Sequence, residues 1–334
     1  MKPFYELTNT GRARRLRGLA LQALAHYDLD VAHLRLITNM YNAIYRVDTA
    51  SGERVVMRVM RPGERTDAEV DAQAIWLAEL SRAGLGVPRP IPNRDGALIT
   101  HADAPGVPQA RQCMLTSWIP GVNLGRRISP ANVARQGALL ARMHAVARDY
   151  PLPDDFAVKV FDRLYPYPEP FVLENPAALA PLPEADRALV GRLLRHVEME
   201  LVGLIASDTP RHLLHGDLHQ WNVKLARGAA YAIDFDDMLL GYAVQDIGIT
   251  LYYYRASAEY EALRAAFQRG YETVLPWPER FPGEVETWIA GRGLTLLNSV
   301  VASDDPDDRQ HLDWCLAGLR VTGPAALASP PPAS

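Results

Sequence analysis

Asp217, Asn222 and Asp234 are the residues whose types and order suggest chemistry. Each offers a hard oxygen, and two apolar segments lead up to them. Leu213-Leu214 runs into His215-Gly216-Asp217, and Tyr231-Ala232-Ile233 runs straight into Asp234. Both segments read as short buried strands, which makes the stretch strand, loop, strand. Acidic and amide oxygens at such strand ends can converge on one hard cation such as Mg2+. A carboxylate beside that cation could orient and deprotonate an attacking hydroxyl, and phosphoryl transfer needs that combination. On this reading Asp217 is the base, and Asn222 and Asp234 hold magnesium. His-Gly-Asp alone is a turn tripeptide; the weight rests on the joint pattern.

The order His215-Gly216-Asp217-Leu218-x-x-x-Asn222, then Asp234-Phe235-Asp236, follows the protein-kinase pattern, with Gly216 in place of Arg and Asp236 in place of Gly. Gly216-Asp217-x-His219 also resembles the opening of a metallophosphoesterase site. That chemistry needs further ligands, typically from a Gly-Asn-His run, and the chain has no such run. The whole stretch resembles the motif of the aminoglycoside phosphotransferase and choline kinase superfamily, through His215, Gly216, Asp217, His219, Asn222, Ile233, Asp234 and Phe235. Gly241 to Ile247 is similar to the segment holding that family's later structural Asp, here Asp246. The Asp236-Asp237 pair and Val244-Gln245-Asp246 are closest to the bacterial stress-response kinase and homoserine-kinase-type branches.

The resemblance implies an α+β, protein-kinase-like two-lobed fold, with ATP and Mg2+ in the cleft between the lobes. It places the nucleotide-binding lobe at residues 1–117 and the catalytic and substrate lobe at 118–322. Arg58, in the strand Arg54 to Met60, stands where a kinase has the Lys that contacts the α- and β-phosphates. Arg keeps the charge and adds a planar fork, but a solvent-facing strand Arg is the plain alternative. Backbone groups near Ser117 and Ile119, before the Pro120-Gly121 stop, would take the adenine edge. The acidic partner of Arg58 would fall near Gln73, with Glu69 one turn earlier, so that partner stays open. His219 has a supporting role. Asp236 and Asp237 could touch metal, touch an ammonium group, or belong to a solvated loop.

At 334 residues the chain can bury two sizeable cores. A net charge of −4 gives no reason to expect nucleic acid. Cys113 and Cys315 form no framework, and free thiols fit a cytoplasmic protein. No uncharged apolar run approaches the roughly 18 residues of a membrane span. The Arg-rich start faintly resembles a transit peptide, but Leu16, Leu19, Ala20, Ala23, Leu24 and Tyr27 repeat at helical spacing.

A hairpin over Leu34 to Met60 follows, then a helix over Glu64 to Ala83 with Val70, Ala74 and Leu77 inward. Strands are expected over Ala97 to Thr100 and Gln112 to Trp118. Helices are expected over Pro130 to Ala147, with His144 a satisfied core histidine, and over Glu184 to Ser207, Asp246 to Tyr254, Glu259 to Val274 and Val285 to Val301. Residues 151–183 are Pro-dense and read as an irregular insertion whose aromatics dock on the core. Ser303 to Asp308 reads as a solvated loop and 323–334 as a disordered tail.

The expected function is phosphorylation of a small-molecule hydroxyl, such as an amino alcohol or amino sugar. The alternatives are a protein Ser/Thr kinase of the stress-response type and a non-catalytic nucleotide-binding module. Retention of Asp217, Asn222 and Asp234 together argues against the last.

Overall fold

The computed structural model describes residues 2–303, 305 and 309–328. Two compact units divide them: one holds the chain up to Pro120 with Leu152–Ala157, the other Gly121–Pro151 and everything from Val158 on.

In the first unit, strands β1 (Val31–Asn39), β2 (Ala43–Thr49), β3 (Arg54–Val59), β4 (Thr100–Ala102) and β5 (Arg111–Ser117) form an antiparallel sheet ordered β1-β2-β3-β5-β4. Helix α1 (Asn9–Leu24) starts at Thr8, whose side chain accepts from the Gly11 N–H at 3.2 Å. Its apolar stripe, Leu16, Leu19, Ala20, Ala23 and Leu24, packs with Tyr45, Val55, Met57 and Val59. Strand period 2 thus sends Val55, Met57 and Val59 to that core, and Arg58 to the other face.

On that second face, Met60 and Met114 pack with Val70 and Ala74 of helix α2 (Asp67–Arg82). The helix begins later than Glu64 because Thr66 and Glu69 form a capping box: the Thr66 N–H donates to Glu69 Oε2 at 2.8 Å, and the Glu69 N–H to Thr66 Oγ1 at 3.3 Å.

The second unit is helical: α3 (Pro130–Asp149), α4 (Pro176–Leu179), α5 (Glu184–Ala206), α6 (Ala243–Tyr252), α7 (Tyr260–Glu272), α8 (Glu284–Ala302) and α9 (Leu312–Ala328). Strands β6 (Val122–Asn123), β9 (Val223–Ala226) and β10 (Ala229–Ala232) form one small sheet. Strands β7 (Lys159–Val160), β8 (His212–Leu214) and β11 (Leu239–Gly241) form another. Helices α3 and α7 approach closely because Gly137 and Gly270 lie against the opposing backbone, where a Cβ would collide with Phe267 and Ala134 carbonyl oxygens.

The Pro-dense insertion docks on α8, as its aromatics suggest. Tyr165 Oη lies 3.1 Å from Ser299 Oγ, and Asn298 binds both the Val172 N–H and the Pro170 carbonyl.

The expected disorder from Gly323 is corrected: α9 continues through Ala328. Ala326 is buried there, and Gly323 packs on Leu189 and Leu193 of α5. Burial of small residues outweighs the breaker Pro324 on the exposed face. Residues 329–334 lie outside the described residues, as do Asp304 and 306–308 of the acidic run.

Candidate active site

Strand β8 delivers the chain to His215, and Gly216 turns it with φ 78°. A side chain at Gly216 would collide with the carbonyl of Asp237, so the two loops meet here through backbone. The loop is pinned from below by Asp246, a fully buried residue of α6. Its Oδ2 accepts from the His215 N–H at 2.9 Å and its Oδ1 from the Gly216 N–H at 3.0 Å. His144 Nε2 lies 3.1 Å from the same carboxylate, and Tyr271 Oη lies 2.9 Å from His144 Nδ1. Burial alone would raise the Asp246 pKa. The hydrogen bonds and charge of His144, with the His215 backbone, overcome it and hold the carboxyl below its ordinary range. His144 is the satisfied core histidine its spacing suggests, and it also steadies the loop anchor.

Asp217 is held on both oxygens. Oδ1 accepts from Arg292 Nη2 at 2.6 Å and from Tyr253 Oη at 3.2 Å; Oδ2 accepts from Asn222 Nδ2 at 3.2 Å. His219 Nε2 stands 3.4 Å from Oδ2. The Trp221 N–H occupies His219 Nδ1, so Nε2 carries the proton that faces Asp217. By the same logic His215 accepts from the Asp217 N–H at Nδ1 and donates from Nε2 to the Ile233 carbonyl. Burial pushes the Asp217 carboxyl up; Arg292 counters it and the neighbouring Asp234 adds to it. Asp237 is pushed up by burial and then by Asp217, as expected of carboxylates crowded together.

Asn222 also donates to the Asp217 carbonyl at 3.0 Å, which turns its Oδ1 away from Asp217. Its own carbonyl accepts from the Ile233 N–H at 2.9 Å, one residue before Asp234. The hairpin β9–β10 creates this meeting: Arg227 (φ 50°) and Gly228 (φ 79°) make a two-residue turn with both φ positive. Asp234 follows with φ 66°, a left-handed backbone that costs a non-glycine residue about 1–2 kcal/mol. The structure therefore brings Asp217, Asn222 and Asp234 into one neighbourhood. Among the described residues no cluster of three His, Cys, Asp or Glu side chains could cage a metal alone. A magnesium bound by one amide, one carboxylate and nucleotide phosphates fits that sparse donor set.

The other expected residues lie in the first unit. Arg58 is half-buried on β3, between Ile44 of β2 and Met114 of β5. The Ser117 N–H donates to the Arg89 carbonyl at 2.8 Å, and Ser117 Oγ accepts from the Arg89 N–H, so the Ser117 amide is already used. Ile119 is buried. Gln73 is buried and accepts from Arg65 Nη1 at 2.7 Å, while Glu69 serves the α2 cap.

Sequence reasoning missed Arg292 and Tyr253. The signal for Arg292 was a single charge flanked by glycines in Trp-Ile-Ala-Gly-Arg-Gly-Leu, a run otherwise fit for burial on all sides. Tyr253 sits in three consecutive tyrosines at a helix end, which cannot all face one core.

An antiparallel five-stranded sheet with its helices, followed by a helical unit whose loop presents Asp, Asn and Asp, has the protein-kinase-like fold. The chain belongs to the phosphotransferase enzyme family, whose model matches residues 33–281. It is an enzyme that transfers a phosphoryl group to an alcohol acceptor. It is 22% identical over 237 residues to amicoumacin kinase of Bacillus subtilis, covering 69% of this chain and 66% of that one. It is 26% identical over 259 residues to a homoserine kinase of Neisseria meningitidis serogroup B, covering 76% and 78%. A solved microcompartment-associated aminopropanol kinase superposes with a TM-score of 0.76 at 20% identity, over 92% of this chain and 98% of that one. No helix among the described residues is long and apolar enough to cross a membrane.

Proposed function

We propose that the protein transfers the γ-phosphoryl group of ATP to a hydroxyl of a small amino alcohol, amino sugar or similar compound. The observation that carries this reading is the environment of Asp217. Arg292 and Tyr253 hold Oδ1, while Oδ2 faces the amide of Asn222 and the ring of His219. Oδ2 takes the proton of the acceptor hydroxyl as that oxygen bonds to the γ-phosphorus, and the bond to the β-phosphate oxygen breaks to release ADP. Asn222 Oδ1 and Asp234 would hold a magnesium ion, which would supply charge neutralisation on the phosphates. Backbone groups near Ser117 and Ile119 meet the adenine edge, with the Ser117 carbonyl serving because its N–H is taken. The names of the three relatives, all kinases of small hydroxyl compounds, support a small acceptor. The test is ADP release with Mg·ATP and a panel of amino alcohols, amino sugars and a Ser/Thr-bearing protein. Turnover of the protein alone would overturn the small-molecule reading.

Asp234→Ala is expected to weaken Mg·ATP binding by at least about tenfold, since a site with two protein ligands leans heavily on each. Calorimetry in magnesium checks it, and equal affinity in both proteins would remove Asp234 from the metal.

Arg58 is the proposed phosphate contact. Arg58→Ala should lose a charge-assisted bond of about 1.5–3 kcal/mol, roughly ten- to a hundredfold in ATP and ADP affinity, with adenosine unaffected. Arg58→Lys should fall between, since an ammonium lacks the planar fork. Titrations giving one ATP affinity for all three proteins would return Arg58 to an ordinary strand position.

A further inference from the structure

Both groups that hold Asp217 Oδ1 are joined in sequence to one buried knot of the second unit. Tyr253 follows Tyr252, the last residue of α6, and Arg292 precedes Gly293 of α8. A Cβ at Gly293 would stand 3.1 Å from Tyr252 Cε2, so the Tyr252 ring lies on the α8 backbone beside Arg292. The two donors also meet each other, with Arg292 Nη2 donating to Tyr253 Oη at 2.8 Å.

The centre of the knot is Arg255. Its guanidinium lies 3.6 Å from the centroid of the Tyr252 ring and 4.3 Å from that of Trp314 on α9. The residue is only 7% exposed, and among the described residues no carboxylate pairs with it. Two aromatic rings therefore stand where a buried cation ordinarily has an acid. Arg255 Nη1 donates to the Tyr252 carbonyl at 2.8 Å, and the Arg255 N–H reaches the same oxygen at 3.3 Å. That carbonyl belongs to the rigid peptide plane between Tyr252 and Tyr253, so Arg255 fixes the direction in which the Tyr253 side chain leaves the backbone. Gly318 of α9 makes room for the arrangement: a Cβ there would stand 2.6 Å from Arg255 Nε and 2.7 Å from Tyr252 Oη. Trp314, by contrast, is 45% exposed, and what its ring covers is Arg255. Helices α8 and α9 both lie beyond the residues 33–281 that the family model matches.

We infer that Arg255 and Trp314 are positioning residues for the proposed base: by clamping the Tyr252–Tyr253 peptide, α9 sets the Tyr253 hydroxyl on Asp217 Oδ1 and so presents Oδ2 to the acceptor. The inference rests on the kinase reading above and concerns its chemical step, not its substrate. Trp314 acts through Arg255 and Tyr253, so loosening the clamp slows transfer and leaves nucleotide binding as it was.

The test is single-turnover transfer from γ-32P-labelled Mg·ATP to the acceptor found by the panel. Wild type, Trp314→Ala, Trp314→Phe, Arg255→Lys and Val321→Ala are compared, each melting above the assay temperature. Trp314→Ala takes one ring from the guanidinium and is expected to slow transfer about tenfold, the weight of one desolvated cation–π contact, with the KM for ATP unchanged. Trp314→Phe keeps a ring and should recover most of that rate. Arg255→Lys keeps the charge but loses the planar stack, and should be at least as slow as Trp314→Ala. Val321→Ala, at a more exposed position of the same helix, should match wild type. Rates within about twofold of wild type in both Trp314→Ala and Arg255→Lys overturn the inference. So does an equal loss in Trp314→Phe or Val321→Ala, which a general weakening of α9 would produce. Should Arg255→Lys not fold, the two Trp314 variants decide alone.

If no compound is turned over, the kinase reading has failed on that panel, and the clamp is still decided by NMR of protein carrying 13Cζ-labelled tyrosine. The Tyr253 signal is assigned by its loss in Tyr253→Phe. A Tyr253 signal that moves in Trp314→Ala and not in Val321→Ala supports the clamp. One that stays in place in Trp314→Ala, or moves as far in Val321→Ala, overturns it.

Discussion

Asp217→Asn is expected to lower turnover by roughly 100- to 10,000-fold, the usual contribution of a positioned proton acceptor. The substitution keeps the shape of the side chain, and its surroundings dictate its orientation. Arg292 Nη2 and Tyr253 Oη both donate toward Oδ1, so the amide oxygen must lie there. The NH2 group then occupies the place of Oδ2, facing Asn222 Nδ2 and the protonated edge of His219. A donor meets donors, and the one atom that could accept the hydroxyl proton is gone. On the proposed assignment magnesium and nucleotide would be held by Asn222, Asp234 and Arg58 and not by this side chain, so Mg·ATP affinity should stay within a few-fold. Steady-state rates on the acceptor found by the panel, with calorimetry alongside, measure both quantities. Turnover within tenfold of wild type would show that Asp217 is not the base.

Asp246→Ala should be the most damaging change to stability, at about 3–5 kcal/mol, the range for removing one partner from a buried charged network. The carboxylate satisfies the His215 and Gly216 N–H groups and His144 together. Deleting it strands all three where water does not reach. A domain of this size typically has 5–15 kcal/mol to lose. The melting temperature should therefore fall by roughly 6–20 °C at about 2–4 °C per kcal/mol. Asp246→Asn retains one oxygen and should lie between. A thermal melt of Asp246→Ala within 2 °C of wild type would mean that the loop anchor is dispensable.

What was readable in advance follows the range of the forces involved. Strands β2 and β3 announce themselves through alternation, α1 through its stripe, and the Asp217 loop through residue types that have no plain structural use together. These are local signals. Helix α8 is legible as a helix, but it is buried on nearly every side, from Val285 to Leu297, so no polar face marks where Arg292 points. Its bond to Asp217 spans 75 residues of sequence, and only packing brings the two together. Strand β9 escaped because Val223 to Ala226 holds a charged Lys224, and its partner strand supplies the pattern. The end of α9 escaped because composition suggested disorder while Ala326 and Gly323 had a surface to pack on. The capping box at Thr66 and Glu69 is a local signal that sets the start of α2, yet the expected helix began at Glu64 because the box was not read.

The anchoring of the Asp217 loop by a buried carboxylate also governs how that loop meets solvent over time. Amides in an active-site turn usually exchange their protons for deuterium quickly, through small local openings. Those of His215 and Gly216 end on Asp246, so releasing either one means parting the turn from α6. Their exchange should accordingly be as slow as that of the amides within α6 itself, and the proposed base, Asp217, would be carried on a segment as rigid as the core beneath it.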